Sequence, residues 1–412
     1  MSKQYRDSIL ISIISYFGAA IGYINKILLF PNFLSTEEVG LANILVSIAA
    51  IYAQFSALGI SSITLKFFPY FRNKEKAHNG FLFWANALLH IGFLLTTIAF
   101  IALKPIVVTY YSKNSQLLID FYYYLIPLSL LTLYYNFFES YLRSLYKTVF
   151  PAFVYEVILR LGITLAISAF ALKLINFEGF VTLYVIIYAI PPICLLFYTV
   201  YLKQFLFSYS ISTPLVRLRK IIPVYGLYSF LNNASNLILL TIDSLMLAVM
   251  MNLSSAGIYS TMLFLASVMQ IPFRAIGKTN GPIVSDFWRN NDLKGLSALY
   301  VKVSSLNLLI SGWLFLLLWC NFTNFMQMLP AEYAAGMYVF LIIGLARMFD
   351  SYTGLNGLIL VTSNKFRIDL LFTFLLALIT IILNYLFIPG YGMEGAAFAT
   401  MLSTVIYNML RL

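Results

Sequence analysis

Charge is scarce in this chain. Asp, Glu, Lys and Arg make up 10% of its 412 residues, 61% are hydrophobic, and the mean hydropathy is +0.88. A soluble domain needs roughly 25% charged residues to cover a water-facing shell. The composition therefore excludes a water-solvated globule, and lipid must cover most of the surface. Cysteine is almost absent: Cys194 and Cys320 stand alone inside apolar runs, without disulfide or metal-ligand spacing, and read as small packing residues. Three Asn-x-Ser/Thr matches (Asn233, Asn252, Asn321) are too short to carry weight without a glycosylation pathway. No Gly-x-x-x-x-Gly-Lys-Ser/Thr loop is present to cradle a nucleotide phosphate. The two histidines, His78 and His90, are remote in sequence from any nucleophile or second ligand. With loops of at most about 20 residues there is no soluble domain to hold an active site, which a membrane-embedded glycosyltransferase or polymerase would need. The expectation is a protein that is not an enzyme and binds no metal.

What the chain does have is long apolar runs. A helix crosses the bilayer in ~20 residues, and twelve runs reach that length: Ile9–Phe30, Val39–Ile63, Gly80–Leu103, Leu117–Tyr141, Val149–Leu172, Phe180–Leu202, Ile221–Met251, Ala256–Ala275, Leu299–Cys320, Ala334–Val361, Ile368–Ile388 and Gly395–Leu412. They are apolar all round, unlike interfacial amphipathic helices. They also lack the strict alternation of a transmembrane β-barrel. The fold class expected is an all-α polytopic membrane protein. Met1–Phe30 has the basic start of a signal peptide (Lys3, Arg6), but its apolar run continues past Gly18-Ala19-Ala20 and further spans follow, so it reads as a retained first span.

A net charge of +11 suggests nucleic acid in a soluble protein. Here the distribution gives another cause. Basic residues fill alternate loops: Lys3 and Arg6; Lys66, Arg72, Lys74 and Lys76; Arg143 and Lys147; Lys203, Arg217, Arg219 and Lys220; Arg274, Lys278, Arg289, Lys294 and Lys302; Lys365 and Arg367; Arg411. The intervening loops hold Lys104, Lys113 and Lys173 with Glu37, Glu38, Glu178, Glu332 and Glu394. By the positive-inside rule both termini face the cytoplasm, and the even number of spans agrees in putting them on one side. The charge is a topology signal, with a secondary attraction to anionic lipid, and no nucleic-acid partner is implied.

The second and eighth spans open alike, Leu34-Ser35-Thr36-Glu37-Glu38-Val39-Gly40-Leu41 against Leu253-Ser254-Ser255-Ala256-Gly257-Ile258-Tyr259. Aligning Gly40 with Gly257 sets an offset of 217 residues, and each copy then runs to a proline (Pro69, Pro282) and a charged loop. The expected organisation is an N-terminal six-helix lobe, residues 1–202, a basic linker, 203–220, and a C-terminal six-helix lobe, 221–412. Transporters are commonly built from such parallel repeats.

Ionisable groups at bilayer depth cost ~2.5–3.5 kcal/mol each on insertion scales and usually face a cavity or a partner. Lys26, Glu139, Glu156, Arg160, Asp243, Arg347 and Asp350 fall inside predicted spans. Arg160 lies about 11 residues into its span, ~16 Å from the basic-side end at 1.5 Å per residue. Glu156 stands four residues before it, the favourable order for a helical ion pair, and Asp350 follows Arg347 by three. Three readings stay open: neutralisation by the helix neighbour, a cationic lumen for an anionic substrate, since arginine grips phosphate bidentately, and a held lipid head group. The 217 offset pairs Lys26 with Asp243, opposite charges at equivalent positions in the outer third of the membrane. They form either an outer gate pair or a snorkelling lysine and a separately bonded aspartate. Asn232, Asn233 and Asn236 are cavity-lining candidates or polar glue between helices. Pro127, Pro191, Pro192 and Pro272 mark expected kinks.

Three stretches resemble the multidrug/oligosaccharidyl-lipid/polysaccharide exporter superfamily, in its polysaccharide and O-antigen flippase branch. They are Leu34–Leu41 followed by Ala57-Leu58-Gly59-Ile60; Asp243–Met250 with Ala256-Gly257-Ile258-Tyr259 through Pro282-Ile283-Val284-Ser285; and Ile388-Pro389-Gly390-Tyr391-Gly392-Met393-Glu394-Gly395-Ala396-Ala397. The resemblance implies a MATE-like fold, two six-helix lobes around a central cavity. It also implies alternating access and export of a polyprenyl-pyrophosphate-linked oligosaccharide across a bacterial inner membrane. Membrane lipid, that oligosaccharide and the polysaccharide polymerisation machinery are the partners it implies. By depth alone, Lys26, Arg160 and Arg347 are the candidates for the pyrophosphate. Glu139, Glu156 and Asp350, with the three asparagines, are cavity or coupling candidates, and a Na⁺ or H⁺ gradient is the expected coupling. Many relatives carry two further helices, so this chain, stopping at Arg411-Leu412, is either a fragment or a twelve-span member. A cation-coupled multidrug exporter of the same fold is the alternative, because the acidic residues suit cationic substrates. A peptidoglycan-precursor flippase is less favoured, since Ile24-Asn25-Lys26 lacks an arginine-rich pattern. A non-transporting assembly subunit is the reading from a different class.

Overall fold

A computed structural model describes residues 3–210, 212–363 and 366–411, so Lys365 and Leu412 of the readings above lie outside the described residues. Among the described residues there are helices and turns but no strand. This follows from the solvent: in hydrocarbon each backbone N–H and C=O must be satisfied within its own segment.

Among the described residues, ten helices are long and apolar enough to cross a membrane: Ile9–Phe33, Thr36–Ala57, Ala77–Ala102, Val149–Ala171, Phe177–Tyr201, Ile221–Met250, Leu253–Phe273, Leu293–Cys320, Ala331–Thr353 and Leu371–Arg411. The last covers 41 residues, ~60 Å at helical rise and twice the ~30 Å hydrocarbon thickness. It contains two crossings. Gly392, at φ 58° and ψ −133°, interrupts it, and the chain folds back so that the Phe387 and Phe398 rings lie 5.3 Å apart. Leu125–Ser144 adds a helix of 20 residues, so that among the described residues the spans number twelve, consistent with the twelve runs of the sequence. The protein is a multi-pass membrane protein. Leu94, Leu95, Ile98, Phe197, Leu309 and Trp313 are exposed along the spans, where lipid covers them.

The spans are broken where the local chemistry demands it. The second predicted run ends early at Leu58-Gly59, both with positive φ, before a separate helix Ile60–Phe71. Gly59 is required there, because a Cβ would press into the Gly226 carbonyl. Pro191 and Pro192 open the helix Ile190–Tyr201 after the sixth span bends at Tyr188-Ala189. A 3₁₀ turn, Ser267–Met269, precedes Pro272 in the eighth. The tenth predicted run divides at Gly354, φ 57°, into Met337–Thr353 and Asn356–Thr362. Two π-helical turns, Ile24–Leu29 in the first span and Val154–Ile158 in the fifth, lie where these two helices pack together. A π turn adds a residue to the helical register and is frequent at functional sites.

Contacts group the chain into two compact units. The first comprises Met1–Phe33 and Ile44–Leu237, the second Leu34–Asn43 and Ile238–Leu412. In the first, Phe68 packs edge-on against Phe81 and Tyr141 at centroid distances of 5.2 and 4.9 Å, and all three are buried. In the second, the Trp319, Phe322 and Phe340 rings stack beside Phe315.

Gly392 holds the fold-back in a backbone region that only glycine occupies without strain, whereas Gly390 has open space at its Cβ position. Gly392→Ala is expected to destabilise the purified protein by about 1–3 kcal/mol, read as a lowered melting temperature, while Gly390→Ala leaves it nearly unchanged.

Candidate functional site

In the first unit, the first and fifth spans build a charged crossing. Gly18 and Gly22, four residues apart, present a face without side chains, and a Cβ at either would overlap Glu156 or Arg160. Small residues at this spacing let helices approach closely in lipid. Arg160 uses the space: it pairs with Glu156 at 2.5 Å and donates to the Gly18 carbonyl, one turn away on the facing helix. Asn25 Nδ2 donates to the Arg160 carbonyl at 2.9 Å, and Thr164 Oγ1 donates to Asn25 Oδ1 at 2.8 Å. Lys26, in the π turn, lies within electrostatic range of the Arg160 guanidinium. Two cations therefore lie near one another at this crossing. Tyr155 stacks on Tyr135 at 4.6 Å, and the Tyr184 and Tyr188 hydroxyls sit 3.5 Å apart beside the same cluster.

The second unit contains a different arrangement. Asp243, 6% exposed, accepts from the Tyr259 hydroxyl at 2.8 Å and the Thr400 hydroxyl at 2.6 Å on Oδ2, and from Asn384 Nδ2 at 2.7 Å on Oδ1. All three partners are neutral. They draw the seventh, eighth, eleventh and twelfth spans onto one carboxylate. Asn384 is fully buried, and its own Oδ1 has no hydrogen-bond partner. Arg347 is within electrostatic range of Asp243 but not in contact with it. Its Nε lacks a partner. Among the described residues no carboxylate lies within 4.0 Å of Arg347, whereas Arg160 pairs with Glu156 and Arg143 with Glu139. Asp350 turns instead to the eighth and twelfth spans, accepting from Gln270 Nε2 and Asn408 Nδ2, each at 3.1 Å.

The remaining candidates are placed as follows. Glu139 pairs with Arg143 at 3.5 Å toward the C-terminal end of the helix Leu125–Ser144, with the arginine half exposed. Asn236 bonds back to the Asn232 carbonyl of its own helix at 2.9 Å. Asn233 bonds to Ser62 at 3.2 Å, joining the seventh span to the helix after the second. Lys26 belongs to the first unit and Asp243 to the second. Sequence reasoning missed Asn25, Asn384 and Asn408. Their signal was nonetheless present: each is a lone amide in an apolar run, as in Leu383-Asn384-Tyr385.

The repeat also acquires a geometry. Gly40 and Gly257, the aligned pair, touch in the second unit, where a Cβ on Gly40 would overlap the Leu253 carbonyl and one on Gly257 would overlap the Thr36 carbonyl. Each helix thus uses its glycine to admit the backbone of the other. The Thr36 hydroxyl closes the crossing, meeting Ser254 at 2.6 Å and donating to Glu332 at 3.0 Å.

Solved structures share this architecture. An inward-facing multidrug resistance MATE family transporter of the MOP superfamily superposes with a TM-score of 0.75 at 11% identity, covering 98% of this chain and 96% of its own. The fold is that of MOP-superfamily transporters. The lipid II flippase MurJ in an inward closed conformation gives 0.74 at 14% identity, over 98% of this chain and 87% of its own. A MOP superfamily transporter from Pyrococcus furiosus, described as having a binding pocket of reverse polarity, gives 0.60 at 12% identity, over 98% and 94%. In sequence, the chain is 22% identical over 408 residues to an uncharacterized membrane protein of Methanocaldococcus jannaschii, covering 94% of this chain and 79% of that protein. No family profile matches the chain.

The reciprocal glycine contact makes a coupled prediction. Gly40→Ala and Gly257→Ala are each expected to cost about 1–3 kcal/mol through overpacking. One separation of the two helices relieves both overlaps, so the double variant should cost clearly less than the sum. Additive losses in melting temperature would show that the two glycines do not share one contact.

Proposed function

We propose that the protein is a flippase that moves a polyprenyl-pyrophosphate-linked oligosaccharide, the repeat unit of an O-antigen or another surface polysaccharide, across the cytoplasmic membrane by alternating access. The observation that carries this reading is Arg347, a guanidinium within a membrane span that lacks any contacting carboxylate among the described residues. An unpaired cation in hydrocarbon is costly. A pyrophosphate answers that cost with oxygens matched to the guanidinium fork. Lys26 and Arg160 offer a second cationic patch, and Tyr155 beside it offers a ring face for a sugar. The shared fold with a lipid II flippase supports a lipid-borne substrate.

Coupling in this reading runs through Asp243. Its carboxylate, the orphaned Asn384 Oδ1 and the Thr400 hydroxyl supply the oxygen ligands that a Na⁺ ion needs, and the carboxylate alone serves a proton. Either cation would cancel the negative charge that Arg347 now feels. The arginine is then freed for an anionic substrate, and by linkage the substrate favours cation binding in return.

The same buried carboxylate favours one competing reading, a cation-coupled exporter of cationic drugs. Thermal stabilisation of the purified protein separates the two. Polyprenyl-pyrophosphate glycans are expected to raise the melting temperature, and Arg347→Ala to abolish the rise. Stabilisation by cationic drugs alone would overturn the proposal.

A further inference from the structure

We propose that residues 203–210 and 212–220 form an interfacial strap that binds the anionic phospholipid surface on the basic side of the membrane. This inference is independent of the transported substrate. The segment leaves the sixth span after Tyr201; residues 204–210 have no regular structure, and the short helix Thr213–Leu218 follows. From Lys203 to Phe207 the side chains alternate. Gln204 and Leu206 are partly buried, whereas Phe205, Phe207 and Tyr209 are 37, 54 and 61% exposed.

The strap is held firmly. Gln204 bonds His78 Nε2 at 2.8 Å through its side chain and accepts from the Tyr141 hydroxyl at 2.9 Å through its carbonyl. Trp84 Nε1 donates to the Ser210 carbonyl at 2.9 Å. Phe207 and Tyr209 pack on Phe83 at 5.5 and 5.2 Å, and Tyr209 on Trp84 at 5.6 Å. The platform beneath is a left-handed turn, Ala77, His78, Asn79 and Gly80 at φ 46°, 51°, 52° and 74°. Such residues cost ~1–2 kcal/mol each outside glycine, and the turn persists because His78 is buried and Asn79 bonds the Phe71 carbonyl at 3.0 Å. Gly80 is needed, since a Cβ there would crowd Ser208 and Ser210 of the strap.

Depth and charge select the partner. Phe83 and Trp84 lie two and three residues into the helix Phe81–Ala102, ~3–5 Å from its start, in the interfacial belt where aromatic side chains sit at head-group level. Outward-facing Phe207 and Tyr209 therefore meet lipid. Residues 203–220 contain Lys203, Arg217, Arg219 and Lys220 and no Asp or Glu. All four cations are exposed. An aromatic comb with a wholly basic border fits an anionic head-group layer.

The test uses the full chain in nanodiscs of phosphatidylcholine with or without phosphatidylglycerol. Native mass spectrometry should show preferential retention of phosphatidylglycerol, falling about fivefold for each residue replaced in Arg217→Gln, Arg219→Gln and Lys220→Gln. No preference in the wild type, or a preference unchanged in the triple variant, overturns the proposal. A second measurement leaves the strap intact: in a Trp288→Phe, Trp313→Phe, Trp319→Phe background, Trp84 fluorescence should be quenched by lipids brominated high on the acyl chain and shielded from aqueous iodide. Quenching by iodide and not by lipid places the strap in water and contradicts the assignment.

Discussion

An ionised side chain inside hydrocarbon must find a counter-charge, a set of hydrogen-bond donors or a ligand, because water is not there to solvate it. That constraint organises both units. Arg160 is solved locally, by a carboxylate one turn away and a backbone carbonyl reached through a glycine gap. Asp243 is solved by three neutral donors gathered from three other spans. Arg347 is solved only in part, through the distant charge of Asp243. Helix packing follows from these solutions: Gly18, Gly22, Asn25 and Thr164 on one side, Tyr259, Asn384 and Thr400 on the other, are where they are because a charge sits between them.

The places where helices break share a logic. Leu58-Gly59, Gly354 and Gly392 carry positive φ, and the π turns at Ile24–Leu29 and Val154–Ile158 shift the register where charged residues cross. A broken or bulged span in lipid is tolerated only where protein re-satisfies the freed backbone. Such joints are natural points for a conformational cycle to pass through.

Much of this was legible in the sequence, and the limits are physical. Helix number and approximate extent follow from run length against bilayer thickness, so twelve spans could be read with ends shifted by up to eight residues, as at Leu125 and Thr353. The Gly40–Gly257 repeat was visible as a motif, yet nothing in a one-dimensional alignment says that the aligned residues touch. Arg160 and Glu156 are bonded neighbours along one helix, a local relation that spacing predicts. The i, i+3 spacing of Arg347 and Asp350 was equally suggestive, but Asp350 bonds instead to Gln270 and Asn408, 80 and 58 residues away. Long-range polar networks depend on which helix faces which, and hydropathy carries no information on that.

The central claim is that Asp243 and Arg347 form one electrostatic unit linking a cation to an anionic substrate. Binding of a short-chain prenyl pyrophosphate, measured by calorimetry as Na⁺ and pH are varied, tests it most directly. The account predicts that Na⁺ or acid tightens binding by about 5- to 150-fold, the usual range of site-to-site coupling, and that Asp243→Asn binds tightly under all conditions. An affinity indifferent to both cations in the wild type, or weakened by Asp243→Asn, would contradict it.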